Sequence, residues 1–184
     1  METPIRTDLT VIQGDIVTAV VDAIVNPTNP DLIPGGGVDA LLRRAGGPDF
    51  DAACVKIREE EGGCPPGCAV ITPAGDLNAT YVIHTVGPIW EGGQSGEPRV
   101  LKRCYDACLN LAVAYAIRTI AFPAISTGTY RYPPERAAHI ALRAVKEFAV
   151  RNSSAPTSIQ FVLYDDENFT AYQRAIDNLN AESD

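Results

Sequence analysis

Short strand patterns alternate with longer helical patterns along the chain, and this alternation restricts the possible fold more than any other feature. Strand composition, rich in β-branched and apolar residues, occurs in six segments: residues 8–16, 20–26, 67–75, 79–88, 119–125 and 158–165. Apolar residues at helical spacing predict four helices, at residues 38–57, 100–117, 133–151 and 168–179. The first of these helices is predicted to be broken near Gly46 to Pro48. The pattern predicts an α/β fold of three α/β/α layers, with a central mixed, mostly parallel sheet between two layers of helices.

The length and composition favour a single domain over residues 1–184. Of the 184 residues, 46% are hydrophobic, which is enough to bury one compact core. The sequence contains no internal repeat and no linker composition. We expect the core to extend from about residue 8 to residue 180.

The net charge of −8 and the isoelectric point near 4.7 argue against general binding to nucleic-acid backbones, which depends on lysine and arginine. An anionic ligand would therefore need local donors, such as the N–H groups of glycine-rich loops and helix N-termini. The beginning of the chain, METPIRTDLT, lacks an apolar signal region, and no apolar run is long enough to cross a bilayer. We expect a cytoplasmic protein without membrane contact and, since nothing requires a partner chain, a monomer.

The five cysteines are an odd number, which argues against a complete set of disulfides. Cys64 and Cys68 enclose two prolines in CPPGC, while Cys104 and Cys108 lie four residues apart in a predicted helix. Neither pair has the two-residue spacing that is usual in zinc sites. We expect reduced structural thiols and no metal, with zinc binding as the alternative.

Neither histidine is predicted to be catalytic. His84 lies in the apolar run YVIHTVGP and is expected to be a hydrogen-bonded core residue rather than a base. His139 lies in a predicted helix without an evident partner.

Two glycine-bearing segments follow predicted strands and indicate an anion site. The first reads NPTNPDLIPGGGVDALLRR from residue 26, and the second reads AFPAISTGTYRYP from residue 121. Loops after the strands of an open α/β sheet meet at one edge, so their N–H groups can bind one diphosphate from two sides. The spacing matches neither the G-x-G-x-x-G dinucleotide pattern nor a P-loop, and Ala124 replaces the first glycine of a G-x-S-x-G nucleophile motif. For the triple glycine, a flexible surface loop is the alternative.

Five segments together have the order and spacing of a known family: GDI at 14–16, AIVNPTN at 23–29, GGGVD at 35–39, YVIHTVGPIW at 81–90 and AFPAISTGTYRYP at 121–133. On these segments the chain resembles the macrodomain family, and most closely the MacroD-type ADP-ribosyl hydrolases, from about residue 9 to residue 176. The resemblance implies a macrodomain fold that binds ADP-ribose and needs no metal or other cofactor.

The resemblance implies catalytic roles for Asp39 and Asn29. In the resembling enzymes, the aspartate that matches Asp39 works with a water held against the ligand's phosphate, and this water attacks the anomeric carbon of the distal ribose. Asn29 matches the asparagine that contacts this ribose. A carboxylate at a helix N-terminus could orient the water and stabilise positive charge on the sugar. The alternatives are a carboxylate that only complements the helix dipole and an asparagine that bonds its own turn.

The resemblance also implies ligand contacts. Asp15, beside the Ile16 amide, would accept a hydrogen bond from the exocyclic amine of adenine, or would only cap a turn. Tyr130 would cover the distal ribose, and Tyr164 would stack on adenine or, alternatively, pack inward in the core. The remaining implied ligand-binding residues are Asn26, Gly36, Gly37, Val38, Ser126, Thr127, Gly128, Thr129 and Arg131.

The sequence departs from the family pattern close to the implied site. Pro27 and Thr28 stand between the two asparagines of the usual N-A-A-N motif, and Pro30 follows them. Arg43 replaces a frequent histidine, and Arg131 replaces a frequent glycine. A guanidinium at position 131 could bind the diphosphate or crowd the distal ribose.

The leading hypothesis is an enzyme that removes single ADP-ribose groups from acidic side chains of modified proteins. One alternative is a reader module that binds ADP-ribose without cleaving its conjugates. Another is hydrolysis of O-acetyl-ADP-ribose or of ADP-ribosylated nucleic acid ends. The predicted partners are therefore ADP-ribose, ADP-ribosylated proteins and, in the last case, modified nucleic acid ends.

Overall fold

The computed structural model describes residues 7–182 of the chain. Within this range, six strands and four α-helices follow one another in the order that the sequence predicts. The strands are β1 (Asp8–Gln13), β2 (Ala23–Pro27), β3 (Ala69–Pro73), β4 (Tyr81–Thr85), β5 (Thr119–Phe122) and β6 (Ser158–Leu163). The helices are α1 (Gly37–Glu61), α2 (Glu97–Ala114), α3 (Pro134–Arg151) and α4 (Asp166–Ala181), and a short 3-10 turn (Ile16–Thr18) follows β1.

The strands form one sheet in the order β1-β6-β5-β2-β4-β3. In this sheet only the edge strand β3 runs antiparallel to its neighbour, so the predicted mixed, mostly parallel sheet is confirmed. Successive residues of β2 point to opposite faces: Val25 packs in the core formed with α2, α3 and α4, and Ile24 packs in the core formed with α1. Helices therefore cover both faces of the sheet, which gives the three α/β/α layers.

Local backbone signals set the ends and the kink of the helices. The predicted break in the first helix is present, because α1 is kinked at Gly47, where φ is 73°. Helix α4 begins at Asp166, earlier than predicted, because Asp165 caps it by accepting a hydrogen bond from the N–H of Asn168 at 2.8 Å.

All five cysteines are free thiols, as predicted. Four of them are buried in the apolar cores, and Cys68 is partly buried. Burial raises the pKa of Cys64 to about 12 and that of Cys104 to about 11, so these thiols stay protonated at neutral pH. Within residues 7–182, no group of three or more His, Cys, Asp or Glu side chains is arranged to hold a metal ion. Among the helices in that range, none has both the length and the apolar character needed to span a membrane.

Two adjacent glycines after α1 have left-handed φ angles, but they differ in packing. Around Gly62, with φ of 78°, an added Cβ would meet no atom within 4 Å. At Gly63, with φ of 107°, a Cβ would collide with the carbonyl oxygen of Pro30. The same carbonyl accepts a hydrogen bond from the N–H of Cys64 at 2.8 Å. The absence of a side chain at Gly63 therefore lets the end of α1 pack against the segment that carries Asn29.

We expect Gly63→Ala to destabilise the fold more than Gly62→Ala. Alanine in the left-handed region costs about 1–2 kcal/mol at either position. The collision with Pro30 adds roughly 1–3 kcal/mol at position 63 only. Urea unfolding of both variants measures the difference, and equal losses in the free energy of unfolding would contradict this packing.

One carboxylate organises the loop between β4 and α2. Glu97, the first residue of α2, is buried and accepts hydrogen bonds from the backbone N–H groups of Glu91, Gly93 and Ser95 at 2.8–2.9 Å. Hydrogen bonds from its own N–H and from these three groups lower the pKa of Glu97 to about 2, against the effect of burial, which raises it. The ionised carboxylate therefore holds the loop together.

We expect acid to loosen this loop and Glu97→Gln to abolish that response. The folded pKa of Glu97 lies near 2 and the ordinary value is 4.5, so the stabilisation is complete above pH 4.5 and is lost as the pH falls through 2. The advantage of the wild-type protein over Glu97→Gln in free energy of unfolding should shrink over this interval.

The only tryptophan, Trp90, lies in the same loop and donates its backbone N–H to the carbonyl of Tyr130 at 2.8 Å, so its fluorescence reports the loop. Glu91→Gln, which removes an exposed carboxylate from the loop, is the matched control. If the difference in free energy of unfolding between the wild type and Glu97→Gln does not change with pH, this role of Glu97 is contradicted.

Candidate active site

A cleft of about 720 Å³ lies where strands β1, β2, β5 and β6 end. The carboxyl edge of a parallel sheet is the usual ligand site in open α/β folds. Most of the residues predicted for the site line the cleft: Asp15, Ile16, Asn29, Gly36, Gly37, Val38, Asp39, Ser126, Thr127, Gly128, Thr129, Tyr130 and Tyr164. Two predicted site residues, Asn26 and Arg131, are not in the lining.

Asp15 and Tyr164 line the part of the cleft beside the paired strands β1 and β6. Asp15 caps the 3-10 turn, because its Oδ1 accepts a hydrogen bond from the N–H of Val17 at 3.0 Å. This cap engages one of the two carboxylate oxygens. Tyr164 is 76% exposed, so the alternative of an inward core aromatic is wrong. The two side chains offer a carboxylate and an open ring to a planar base.

The first glycine loop presents the N-terminus of α1 to the cleft. Gly36 is the N-cap residue, and no side chain caps the helix, so the first N–H groups are open to an anion. Gly37 has a left-handed φ of 59°, which favours glycine. A Cβ at either position would meet no atom within 4 Å. This geometry suits the predicted anion cradle.

The second loop, residues 123–133, is fixed by hydrogen bonds within itself. The carbonyl of Ser126 accepts the N–H of Tyr132, and the carbonyl of Gly128 accepts the N–H of Arg131, both at 2.9 Å. Ser126 and Arg131 have left-handed φ angles of 67° and 60°. A Cβ at Gly87 would collide with Oγ of Ser126, so glycine at 87 permits this turn.

Asp39 lies in the first turn of α1 and is almost completely buried, with 2% of its surface exposed. Its Oδ1 accepts a hydrogen bond from Nδ2 of Asn26, and its Oδ2 accepts hydrogen bonds from the N–H of Gly35 and from Nε of Arg43, all at 2.8 Å. The carboxylate is thus a member of a buried ion pair with Arg43, as well as a charge near the helix N-terminus.

The amide of Asn26 connects Asp39 to the interior of the sheet. Nδ2 of Asn26 lies 3.2 Å from Nδ1 of His84, and Nε2 of His84 lies 2.8 Å from Oγ1 of Thr72. Burial, followed by the nearby Arg43, lowers the pKa of His84 to about 4, so the ring is neutral at pH 7. Since Asn26 can only donate through Nδ2, the network assigns the proton of His84 to Nε2. The prediction of His84 as a hydrogen-bonded core residue is confirmed.

Asn29 bonds its own turn. Its Nδ2 donates to the carbonyl of Ile33 at 2.8 Å, and its Oδ1 accepts the N–H of Ile33 at 3.1 Å. A Cβ placed on Gly35 would lie 3.6 Å from Nδ2 of Asn29 and 3.7 Å from Oδ2 of Asp39. The two predicted catalytic side chains therefore converge on Gly35, and the turn that Asn29 closes holds it in this position.

Asn26 and Arg131 are placed differently from the other predicted ligand contacts. Asn26 is completely buried in β2, because β2 is a central strand between β4 and β5, and its amide reaches the cleft only through Asp39. Arg131 is exposed and occupies a left-handed turn between Tyr130, which lines the cleft, and Tyr132, which is buried. Arg131 is next to a cleft residue in the sequence, but it is not among the residues that line the cleft.

The sequence analysis does not predict the hydrogen bonds of Arg43 and Asn26 to Asp39 or the contact between Asn26 and His84. From the sequence, Arg43 is only a departure from the family pattern, and Asn26 is only an implied ligand contact. The signal for Arg43 was its spacing of four residues from Asp39, which places both side chains on one face of a helix.

Comparisons with known proteins show which family the chain belongs to. The family model described as "Macro domain" matches residues 25–141. An O-acetyl-ADP-ribose deacetylase from Citrobacter rodentium is 54% identical over 166 residues, which cover 90% of this chain and 93% of the relative. An enzyme of the same name from Cronobacter sakazakii is 50% identical over 168 residues, covering 91% of this chain and 93% of the relative.

Solved structures share the fold over nearly the whole chain. The Oceanobacillus iheyensis macrodomain with ADP has a TM-score of 0.89 at 34% identity, covering 94% of this chain and 91% of that one. The Trypanosoma brucei macrodomain in complex with ADP-ribose has a TM-score of 0.84 at 32% identity, covering 91% of this chain and 68% of that one. The chain therefore belongs to the macrodomain family and has its three-layer fold.

Proposed function

We propose that the chain hydrolyses ester bonds on the distal ribose of ADP-ribose, and that its substrates are mono-ADP-ribosyl esters on acidic side chains of modified proteins. The observation that carries the proposal is the convergence of Asn29 and Asp39 on Gly35, beside the uncapped N-terminus of α1. This arrangement combines an anion site for phosphate with two polar side chains that can orient a sugar and a water.

The proposed binding mode follows the lining of the cleft. Adenine stacks on Tyr164 and donates its exocyclic amine to Asp15. The diphosphate accepts hydrogen bonds from the N–H groups of Gly36 to Val38 and from those of the second loop, residues 126–130. The distal ribose then lies near Asn29 and Tyr130, with its anomeric carbon towards Asp39.

In the proposed reaction, a water held between the ligand's phosphate and Asp39 attacks the anomeric carbon. The new C–O bond forms as the bond to the acyl oxygen breaks, and the acidic side chain departs as a carboxylate while one proton of the water is released. Asp39 stabilises the positive charge that develops on the sugar.

The leaving group supports an ester as the substrate. Among the described residues that line the cleft, there is no histidine, lysine or cysteine to protonate a departing group. A glutamate or aspartate side chain, with an ordinary pKa near 4, departs as a stable anion and needs no proton. An N-linked substrate would need a general acid.

Hydrolysis of O-acetyl-ADP-ribose is the second candidate, and the names of the relatives at 54% and 50% identity favour it. Here water would attack the acetyl carbonyl, and a proton from that water would pass to the departing ribose oxygen. The same adenine and diphosphate contacts would hold both substrates.

A turnover assay in ¹⁸O-labelled water separates these reactions. We expect release of ADP-ribose from a glutamate-linked mono-ADP-ribosylated protein, with no label in the freed glutamate carboxylate, because attack occurs at the sugar. Label in the carboxylate would indicate acyl attack. Release of ADP-ribose from O-acetyl-ADP-ribose alone would favour the second candidate. Binding of ADP-ribose without its release from either substrate would indicate a reader module.

We expect Asp39→Asn to lower kcat by at least about 100-fold while ADP-ribose still binds, because it removes charge stabilisation of the transition state. Asp39→Ala is a poor test, since it leaves the buried Arg43 without this partner, at a cost of roughly 3–5 kcal/mol. Asp49→Asn, an exposed site on the same helix, is the matched control. A kcat for Asp39→Asn equal to that of the control would contradict the catalytic role.

We expect Asp15→Asn to reverse the preference for the base. Asparagine can still accept the N–H of Val17 through Oδ1, but its amide would oppose the amine of adenine. Calorimetry should give an affinity for ADP-ribose about 10–100-fold lower and a higher affinity for the inosine analogue, whose base carries an acceptor at that position. Equal losses for the two ligands would argue against base recognition by Asp15.

A further inference from the structure

Arg43 is a buried cation with three separate partners. Nε donates to Oδ2 of Asp39 at 2.8 Å, Nη1 donates to Oδ1 of Asp51 at 2.7 Å, and Nη2 donates to the carbonyl of Leu32 at 2.9 Å. The guanidinium carbon also lies 5.6 Å from the centre of the Phe50 ring. Only 8% of the residue is exposed. Burial lowers the pKa of Arg43, but hydrogen bonds to Asp39 and Asp51 outweigh it and raise the pKa above the usual value.

These contacts connect helix α1, which carries Asp39, to the turn that Asn29 closes. Asp39 and Arg43 lie on α1, whereas Leu32 belongs to the turn that Asn29 closes, since the N–H of Leu32 donates to the carbonyl of Asn29 at 3.1 Å. Leu32 is completely buried and has a left-handed φ of 53°, which is unfavourable for leucine. The hydrogen bond from Arg43 to its carbonyl helps to hold this turn.

The same contacts leave Asp39 little freedom. Two carboxylate oxygens offer about four acceptor positions. Asn26, Gly35 and Arg43 occupy three of them, two on Oδ2 and one on Oδ1. One acceptor position on Oδ1 is left, and Asp39 is one of the residues that line the cleft.

We infer that Arg43 is a positioning residue for hydrolysis: it fixes Asp39 relative to the Asn29 turn so that Oδ1 has one acceptor position for the attacking water. This inference rests on the proposed hydrolase function. It assigns no contact between Arg43 and the ligand, because Arg43 is not in the lining of the cleft. Arg43 acts through Asp39 and Leu32.

The test uses Arg43→Lys in two backgrounds, the wild-type chain and Asp39→Asn. Lysine keeps the charge but lacks the planar fork that spans Asp39 and Leu32. In the wild-type background we expect kcat to fall by about 10-fold, with the dissociation constant for ADP-ribose changed by less than about twofold. In the Asp39→Asn background the same substitution should change kcat by less than about twofold.

The control is Asp51→Asn, which removes the second charged partner of Arg43 and leaves its contacts with Asp39 and Leu32 intact. We expect its kcat to equal that of the wild type. Unfolding in urea accompanies each variant, so that loss of folded protein is separated from loss of turnover.

Three outcomes would overturn the inference. An active wild-type protein whose kcat is unchanged by Arg43→Lys contradicts the assignment of Arg43 alone. An equal loss of kcat in both backgrounds indicates a merely structural role that does not act through Asp39. A wild-type protein that binds ADP-ribose but cleaves no ester overturns the proposed function, and the role of Arg43 with it.

Discussion

The ion pair between Asp39 and Arg43 is the interaction on which the candidate site depends. Both side chains are more than nine-tenths buried, and Nε of Arg43 lies 2.8 Å from Oδ2 of Asp39. Removing two charges from water is costly, and a buried ion pair often stabilises a fold no better than apolar residues of similar volume. Stability is therefore a weak explanation for this pair, whereas a fixed geometry for the carboxylate is a sufficient one.

The pair also links the site to the centre of the fold. Asp39 accepts a hydrogen bond from Asn26 on β2, and Asn26 lies within 3.2 Å of the neutral His84 on β4. His84 in turn contacts Thr72 on β3 at 2.8 Å. Each of these strands is adjacent to the next in the sheet, so the orientation of one carboxylate follows from the register of three strands. The cleft is open to solvent, but the side chains that hold Asp39 in place are buried.

The sequence was sufficient to predict the layers, the mixed sheet and the loops that form the cleft. Alternating strand and helix patterns carry that information because each element must bury an apolar face. The triple glycine was informative for a similar reason, since a helix N-terminus without a capping side chain leaves its N–H groups unpaired.

The burial of the Asp39–Arg43 pair and the positions of Asn26 and Arg131 could not be predicted, because they depend on tertiary packing. Residues four apart on a helix usually form weak surface pairs, and only the position of α1 against the sheet makes Asp39 and Arg43 a buried pair. Asn26 is adjacent to the loop in sequence but inside a central strand in space. Arg131 lies next to a cleft residue, yet its left-handed backbone, with φ of 60°, belongs to a turn that the local sequence did not specify.

A crystal structure of the chain with ADP-ribose would show whether Arg43 and Asn26 hold Asp39 in place beside a bound ligand. We expect the diphosphate to lie against the N–H groups of Gly36 to Val38 and of residues 126–130, with Asp39 still bonded to Arg43 and Asn26 at about 2.7–3.2 Å. A single ordered water should bridge Oδ1 of Asp39 and the ligand near the anomeric carbon of the distal ribose. An Asp39 side chain that turns away from Arg43 to contact the ligand directly, or a diphosphate bound outside the two loops, would rule out this role of the ion pair and the glycine loops.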